Sequence, residues 1–306
     1  WNGGRIGVVG AGPAGITIAI LMACRGYRVT IFEVREKIGG ILRYGIPEFR
    51  LPKSILDRYD KKMKELGIRF RPNFALGGST GVHDLLEDGY NAVFIGAGTR
   101  RPYRLNIPGE TFGNVHYGIN YLNNPDVYDL GDRVVVIGAG NAAMDVARTA
   151  IRKGSRYVTV YSVTEVPAAS PKEVEYARID GVEFEFLQTA SRITDDGVMI
   201  CDVEWDENGQ MVKHEETERF VPADSIIISI SQGPQDRIVN RDKELKVDER
   251  GLLKTNEKGE TTMKGIFASG DVVTGAKTVV EAVKCSKMIA DAMDEYVKAS
   301  FSSKKV

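Results

Sequence analysis

Gly10, Gly12 and Gly15 follow the apolar run 6–10 (IGVVG) and open a helical pattern that begins at Pro13. Each position has a separate use. Gly10 permits a tight turn out of a strand, Gly12 lets the backbone approach a pyrophosphate, and Gly15 lets the helix pack close to the strand. The helix start adds free N–H groups and the positive end of the helix dipole. Glu33 stands at the end of the next strand, where a carboxylate accepts hydrogen bonds from ribose hydroxyls. Strand, glycine loop, helix and a distant acid together imply dinucleotide binding.

The pattern recurs at Gly138, Gly140 and Ala143, with Asn141 and Ala142 between them, after the apolar run 133–138. A second dinucleotide is expected along 138–143. The interval from Gly10 to Glu33 equals that from Gly138 to Tyr161, so one supersecondary unit is duplicated. Where the first unit has its acid, the second has Tyr161, then Ser162 and Val163. This leaves no carboxylate for a ribose 2′-hydroxyl and no arginine for a 2′-phosphate. Arg152, Arg156 and Lys172 are near in sequence and are expected to be solvated surface charges. Ala143 mildly favours the phosphorylated cofactor, but the missing arginine counts for more. NAD(H) is expected, with NADP(H) the alternative.

Two dinucleotides in one chain point to FAD paired with a nicotinamide. Hydride passes between the rings, and that chemistry belongs to the cofactors. The protein orients the rings and excludes water. No side-chain nucleophile or general base is needed, and no catalytic residue is assigned. His83, His116 and His214 are isolated and read as structural or exposed.

The elements that must position these residues are legible from periodicity. Strands are expected at 6–10, 28–33, 92–95, 133–138, 157–161, 226–230 and 265–268. Helices are expected at 13–25, from the second glycine loop to 153, and at 278–296. Residues 182–210 alternate and carry Asp-rich turns, which reads as antiparallel hairpins lying on the second unit. The tail SFSSKKV reads as frayed or tag-like.

Composition excludes several classes. The 306 residues suit two domains. A net charge of -1, with both signs mixed along the chain, gives no footprint for nucleic acid or a membrane surface. The apolar runs are too short to span a bilayer, and no signal peptide is visible. Cys24, Cys201 and Cys285 are far apart and form no Cys-x-x-Cys, which argues against disulfides, a redox dithiol or a metal site. Three thiols are too few for a cubane cluster. A reducing cytoplasm fits. The chain opens at Trp1 rather than methionine, which leaves room for a preceding segment.

Four stretches carry a family resemblance: KIGGILRYGIPEFRLPK (37–53), FIGAGT (94–99), VVVIGAGNAAMD (134–145) and GIFASGDVVTGAKTVVEAV (265–283). The chain resembles the small subunit of glutamate synthase. It is similar also to the flavin and nicotinamide part of dihydropyrimidine dehydrogenase and to the large subunit of bifurcating ferredoxin:NADP oxidoreductases. The likeness runs from Arg5 to about Tyr296.

This resemblance implies an α/β fold of two nested, Rossmann-like, three-layer nucleotide-binding domains, the glutathione reductase-like flavoprotein architecture. The FAD domain would comprise 1–117 and 263–306, and the NAD(P) domain 118–262. FAD would be held by Gly10, Gly12, Pro13, Ala14, Gly15, Glu33, Gly40, Leu42 and Arg43, with Ala97, Gly98 and Thr99 closing over it. Gly270 and Asp271 would meet the ribityl and pyrophosphate region. Lys277, Thr278 and Val279 would open the last helix towards the flavin ring. The nicotinamide dinucleotide would lie along Gly138 to Ala143 and Tyr161–Ser162, with Gly233 and Pro234 near the nicotinamide.

Two departures qualify what is carried over. Relatives usually bear an N-terminal domain with two iron–sulfur clusters, so here an iron–sulfur protein or subunit is the expected partner. The family's arginine pair after the second strand is replaced by Ser162 and Val163. Two other readings stay open: a stand-alone flavin enzyme acting on a small molecule, and a non-catalytic subunit of a larger redox complex.

Overall fold

Strands buried on both faces read as unbroken apolar runs, and such runs form the middle of both parallel sheets. In the computed structural model, which describes residues 1–303, β1 (Arg5–Val9) leads through the first glycine loop into α1 (Pro13–Cys24), and β2 (Arg28–Phe32) returns beside β1. The turn α2 (Ile41–Tyr44) and helix α3 (Ser54–Glu65) precede β3 (Arg69–Arg71), and α4 (Val82–Glu87) precedes β4 (Ala92–Ile95). After the short β5 (Arg101–Pro102) come β6 (Val115–Tyr117) and α5 (Gly118–Asn123). The second glycine loop joins β7 (Arg133–Ile137) to α6 (Asn141–Arg152) and is followed by β8 (Tyr157–Ser162), α7 (Pro171–Ile179) and β9 (Glu183–Phe186).

Three longer strands follow: β10 (Gln188–Thr194), β11 (Gly197–Trp205) and β12 (Met211–Pro222). Then come β13 (Ser225–Ile228), β14 (Gln232–Gly233) and α8 (Arg237–Arg241). The chain ends through β15 (Ile266–Ala268), α9 (Asp271–Thr274) and α10 (Val279–Ser303).

Two parallel five-stranded sheets share one design. Their orders are β15-β4-β1-β2-β3 and β6-β13-β7-β8-β9, so β1 and β7, which feed the glycine loops, are both central. The outermost strand is supplied differently. The first sheet takes β15 from late in the chain, whereas the second takes β6 from ahead of its own glycine motif.

Alternate residues of each strand face opposite layers. In the first unit Ile6, Val8, Val29 and Ile31 bury with Ile18, Met22, Met293 and Val297 of α1 and α10, while Val9, Phe32 and Ile95 face Val82, Leu85 and Leu253. Helix α1 is apolar around nearly its whole circumference because it lies between the sheet and α10. In the second unit Val134, Val136, Val158 and Val160 pack on Ala143, Met144 and Ala147 of α6, while Val135, Ile137 and Tyr161 face Ala190, Val198 and Ile200 of the antiparallel sheet β10-β11-β12. Each unit is therefore a three-layer nucleotide-binding fold.

The compact units are residues 1–43, 48–101 and 232 onward, and residues 44–47 and 102–231. These boundaries differ from the expected breaks at 117/118 and 262/263. Residues 102–117 go with the second unit because β6 pairs with β13, Val115 against Ile226. Residues 232–262 go with the first because Leu245 and Leu253 bury with Leu85, Met263 and Ile266.

Two smaller expectations also change. Residues 183–186 join the parallel sheet beside β8 instead of forming a hairpin, and Leu187, at φ +54°, turns the chain before the antiparallel strands begin. Helix α10 runs on to Ser303, since Phe301 packs on the first core. The rest of the expected frayed tail, 304–306, lies outside the described residues.

Candidate functional site

The first glycine loop is shaped by backbone crowding. Gly10 has φ +95°, and a Cβ there would stand 2.5 Å from Gly96 O. A Cβ on Gly15 would overlap Gly10 O, so only glycine lets α1 begin this close to β1. Gly12 is different: a Cβ there would meet only Gly40 Cα, at 4.0 Å. Gly12 and Gly40 face one another as two bare backbones, tied nearby by Gly39 N–H donating to Ala11 O at 2.8 Å. Pro13 is the first helical residue, and no side chain caps this end of α1. Its donors are free for an anion.

The other predicted residues of this site come from distant parts of the chain. Glu33 is 3% exposed. Its Oε2 accepts Ala11 N–H at 2.7 Å and its Oε1 accepts Arg35 N–H at 2.8 Å. A carboxylate has about four lone-pair positions, so acceptor capacity remains for a ribose. Gly270 lies against the loop, a Cβ there being 3.2 Å from Ala14 Cβ, which brings Asp271 alongside. Asp271 accepts Lys277 N–H at 3.2 Å, and burial pushes its carboxyl above the usual range. Thr99 is 4% exposed, and its hydroxyl has no protein partner. An orphaned buried hydroxyl, a side-chain-free slot and an uncapped helix fit the polar middle of a flavin dinucleotide.

Several expected contacts prove to have structural work. Arg43 donates to Ile38 O at 2.7 Å and to Asp57 at 2.6 Å, pinning the 38–43 loop. Leu42 contributes its carbonyl to Lys53 Nζ at 2.8 Å. Ala97 is half-buried on the first unit's core, and Gly98, at φ +67°, has open space about it. Thr278 caps α10: Glu281 N–H donates to its Oγ1 at 3.2 Å, and Glu281 Oε2 accepts Thr278 N–H at 3.1 Å. The Glu281 carboxylate therefore offsets the positive dipole end that Lys277, Thr278 and Val279 were expected to present.

The second loop repeats the first. Gly138 has φ +112°, and a Cβ there would run into Ser229 O. Gly140 has open space, α6 lacks a side-chain cap, and Ala143 is fully buried. Asn141 accepts Ser170 N–H at 2.9 Å, which ties the loop to the start of α7, and Ala142 is exposed. Tyr161 is buried, which raises its phenol pKa above the usual value, and Ser162 is buried beneath the following turn. Gly233 and Pro234, expected beside the nicotinamide, are buried in the first unit, where Pro234 packs against Gly251.

The nearby cations are engaged elsewhere. Arg152 donates to Asp180 at 3.0 Å, Arg156 lies 3.4 Å from Asp132, and Lys172 stands over the Tyr176 ring. His83 pairs with Glu87, His214 with Glu204 and Glu216, and His116 packs edge-on against Tyr128. One contact had no local signal in the sequence: the indole N–H of Trp205 donates to Val163 O at 2.7 Å.

Comparison with known proteins gives the family and the fold. Residues 4–286 match the family model of the pyridine nucleotide-disulphide oxidoreductases. The glutamate synthase [NADPH] small chain of Halomonas elongata is 35% identical, over 97% of this chain and 69% of that protein. The NADP(+)-dependent formate dehydrogenase subunit beta of Moorella thermoacetica is 34% identical, over 99% of this chain and 45% of that protein. Among solved structures, FprA from Mycobacterium tuberculosis superposes with a TM-score of 0.83 at 18% identity, covering 98% of this chain and 86% of that one. Thioredoxin reductase from T. acidophilum superposes at 0.73 and 21% identity, covering 96% and 98%. At such identities the structures speak for the fold alone.

Proposed function

Since the chain belongs to the pyridine nucleotide-disulphide oxidoreductase family, as an FAD-dependent NAD(P)H oxidoreductase similar to glutamate synthase small chains, we propose that it moves hydride between NADH and FAD and exchanges the electrons with an iron–sulfur protein or subunit. The observation that carries this reading is the duplication. Two central strands each deliver a glycine loop and an uncapped helix start, and only the first loop is followed by an acid. Bound FAD supplies the electron-accepting ring.

The chain's own residues bind and orient. The 10–15 loop and the N–H groups of α1 receive the pyrophosphate, Glu33 holds the ribose, and Thr99 and Asp271 offer polar atoms from the far side of the loop. The 138–143 loop and α6 receive the nicotinamide dinucleotide, whose adenosine ribose meets Tyr161 and Ser162. NADH is favoured because the turn after β8 holds no cation, although the Halomonas and Moorella relatives carry NADPH or NADP(+) in their names. A separate partner is supported by those relatives being named as chains or subunits. No helix among the described residues is long and apolar enough to cross a membrane, and we place the protein in the cytoplasm.

The test is anaerobic titration of the yellow, FAD-loaded protein with NADH or NADPH, followed by an oxidised iron–sulfur protein. Stoichiometric bleaching by NADH, reversed by the iron–sulfur protein, is expected. A flavin that neither nucleotide reduces overturns the reading. Full turnover on a small organic acceptor without any protein partner replaces it with the stand-alone enzyme.

A further inference from the structure

The turn leaving β8 is closed by contacts that dinucleotide binding by itself does not require. Ser162 Oγ and Thr164 Oγ1 lie 3.0 Å apart, Thr164 N–H donates to Ser162 Oγ at 3.2 Å, and Thr164 Oγ1 donates to Val166 O at 2.7 Å. The hydroxyls that could reach a phosphate are thus spent within the turn. Trp205, the last residue of β11, reaches this turn because the antiparallel sheet packs on the Tyr161 face of the parallel one. Its indole N–H donates to Val163 O at 2.7 Å. That bond fixes the turn from outside.

Trp205 is half-exposed, at 47%. Met211, its cross-strand partner, is exposed as well, and Val166 on the turn itself is 73% exposed. Trp205 and Met211 are paired across their strands, and the turn that Trp205 holds leaves β8 at the position where a unit of this kind reads the adenosine ribose. Charges of both signs lie near Trp205: Lys213 stands two residues along β12 from Met211, its Nζ 3.4 Å from Ala190 O, and His214 pairs with Glu204 at 3.4 Å. Glu165 follows Thr164 and is exposed, Glu204 precedes Trp205, and Glu183 and Glu185 lie on β9 beside Tyr161. Arg219, whose charge reaches Tyr161, is hydrogen-bonded to Gln188 at 2.7 Å. A 2′-phosphate brings about two negative charges, for which the Ser162–Val163–Thr164 turn itself supplies no cation, whereas an adenosine with a free 2′-hydroxyl can lie on the indole face.

We propose that Trp205 is a specificity-determining residue that ranks NADH above NADPH, by locking the Ser162–Val163–Thr164 turn and by presenting an apolar face where a 2′-phosphate would need cations. This rests on the reading of the second unit as an NAD(H) site and deepens it.

Calorimetry of the FAD-loaded full chain with ADP-ribose and with 2′-phospho-ADP-ribose isolates the adenosine end from the redox chemistry. The parent is expected to bind ADP-ribose at least tenfold more tightly. Trp205→Ala lowers that ratio at least fivefold. Trp205→Phe, which keeps a ring and loses the N–H, falls between the two, and it tests the idea even where the alanine variant folds poorly. The chain has two tryptophans, so in a Trp1→Phe background ADP-ribose is expected to change the emission of Trp205 directly. An unchanged ratio in well-folded variants of a discriminating parent, or an emission that ignores bound ADP-ribose, overturns the role of Trp205 alone. A parent that binds neither ligand, or prefers the phosphorylated one, overturns the NAD(H) reading and Trp205 with it.

Discussion

The carboxylate of Glu33 accepts the backbone N–H of Ala11 at 2.7 Å. The residue expected to hold a ribose therefore also holds the loop proposed to receive the pyrophosphate. Glu33→Ala leaves Ala11 N–H buried without its acceptor, at a cost of about 1–3 kcal/mol. Urea unfolding of the flavin-free protein should show that loss, and FAD affinity should fall as well. Unchanged apoprotein stability would show that the loop stands without Glu33.

Gly12 and Gly15 should separate binding from folding. Gly12→Ala meets open space short of Gly40, so the apoprotein should keep its melting temperature while FAD binding drops, because the methyl enters the slot proposed for the pyrophosphate. Gly15→Ala collides with Gly10 O and should cost about 1–3 kcal/mol through overpacking, in addition to the flavin. Thermal melts of both apoproteins, with flavin content per chain, decide it. Equal stability losses would refute the distinction.

Asp271 predicts a pH dependence. Burial raises its carboxyl above the ordinary value, so the folded state holds the proton more tightly than the unfolded chain does. The stabilising contribution is present below the unfolded pKa and is lost as pH rises through the folded one. Asp271→Asn retains an acceptor for Lys277 N–H and removes the titration. The stability difference between apo variant and apo parent should move in the variant's favour from acid to neutral pH, while FAD binding weakens. A difference that is flat with pH would contradict the buried carboxyl.

Between α6 and α7, Arg148 lies between Glu173 at 3.2 Å and Asp180 at 2.8 Å, with all three side chains largely buried. Burial pushes the Asp180 carboxyl up, and hydrogen bonds from Arg152 and Arg148 overcome this and hold it below its usual range. Its contribution is present above the unfolded pKa and is lost as pH falls through the folded one. Arg148→Met leaves Asp180 its partner Arg152 but takes from Glu173 the guanidinium it faces, and should destabilise the protein by about 1–3 kcal/mol at neutral pH, and by less in acid, where Glu173 takes up a proton. Urea titrations at two pH values measure both.

Much of this molecule is decided within short stretches of chain. The glycines at 10, 12, 15, 138 and 140 act on backbone geometry over a few residues, and the valine and isoleucine runs before them lie at the centre of a sheet wherever that sheet sits. Element type, the duplicated design and the asymmetry between Glu33 and Tyr161 were therefore legible without coordinates. The unit boundaries were not. No local feature of Leu245 or Leu253 says which core will cover them, and Val115 shows no preference for Ile226 until β13 is in place. Arg43 and Leu42 matched a motif, but whether they hold a loop or a ligand depends on Asp57 and Lys53 arriving from α3 and its approach.

The sequence by itself determined that two dinucleotide-binding units lie in one chain and that the second lacks both the acid and the arginine pair, because those facts are carried by residue type at fixed spacing. Tertiary structure alone decided that Glu33 also braces its loop and that Trp205 closes the turn after Ser162. These are contacts between residues distant along the chain or between a side chain and a backbone group it meets only after folding. Their geometry is fixed by how the layers pack, which no local pattern encodes.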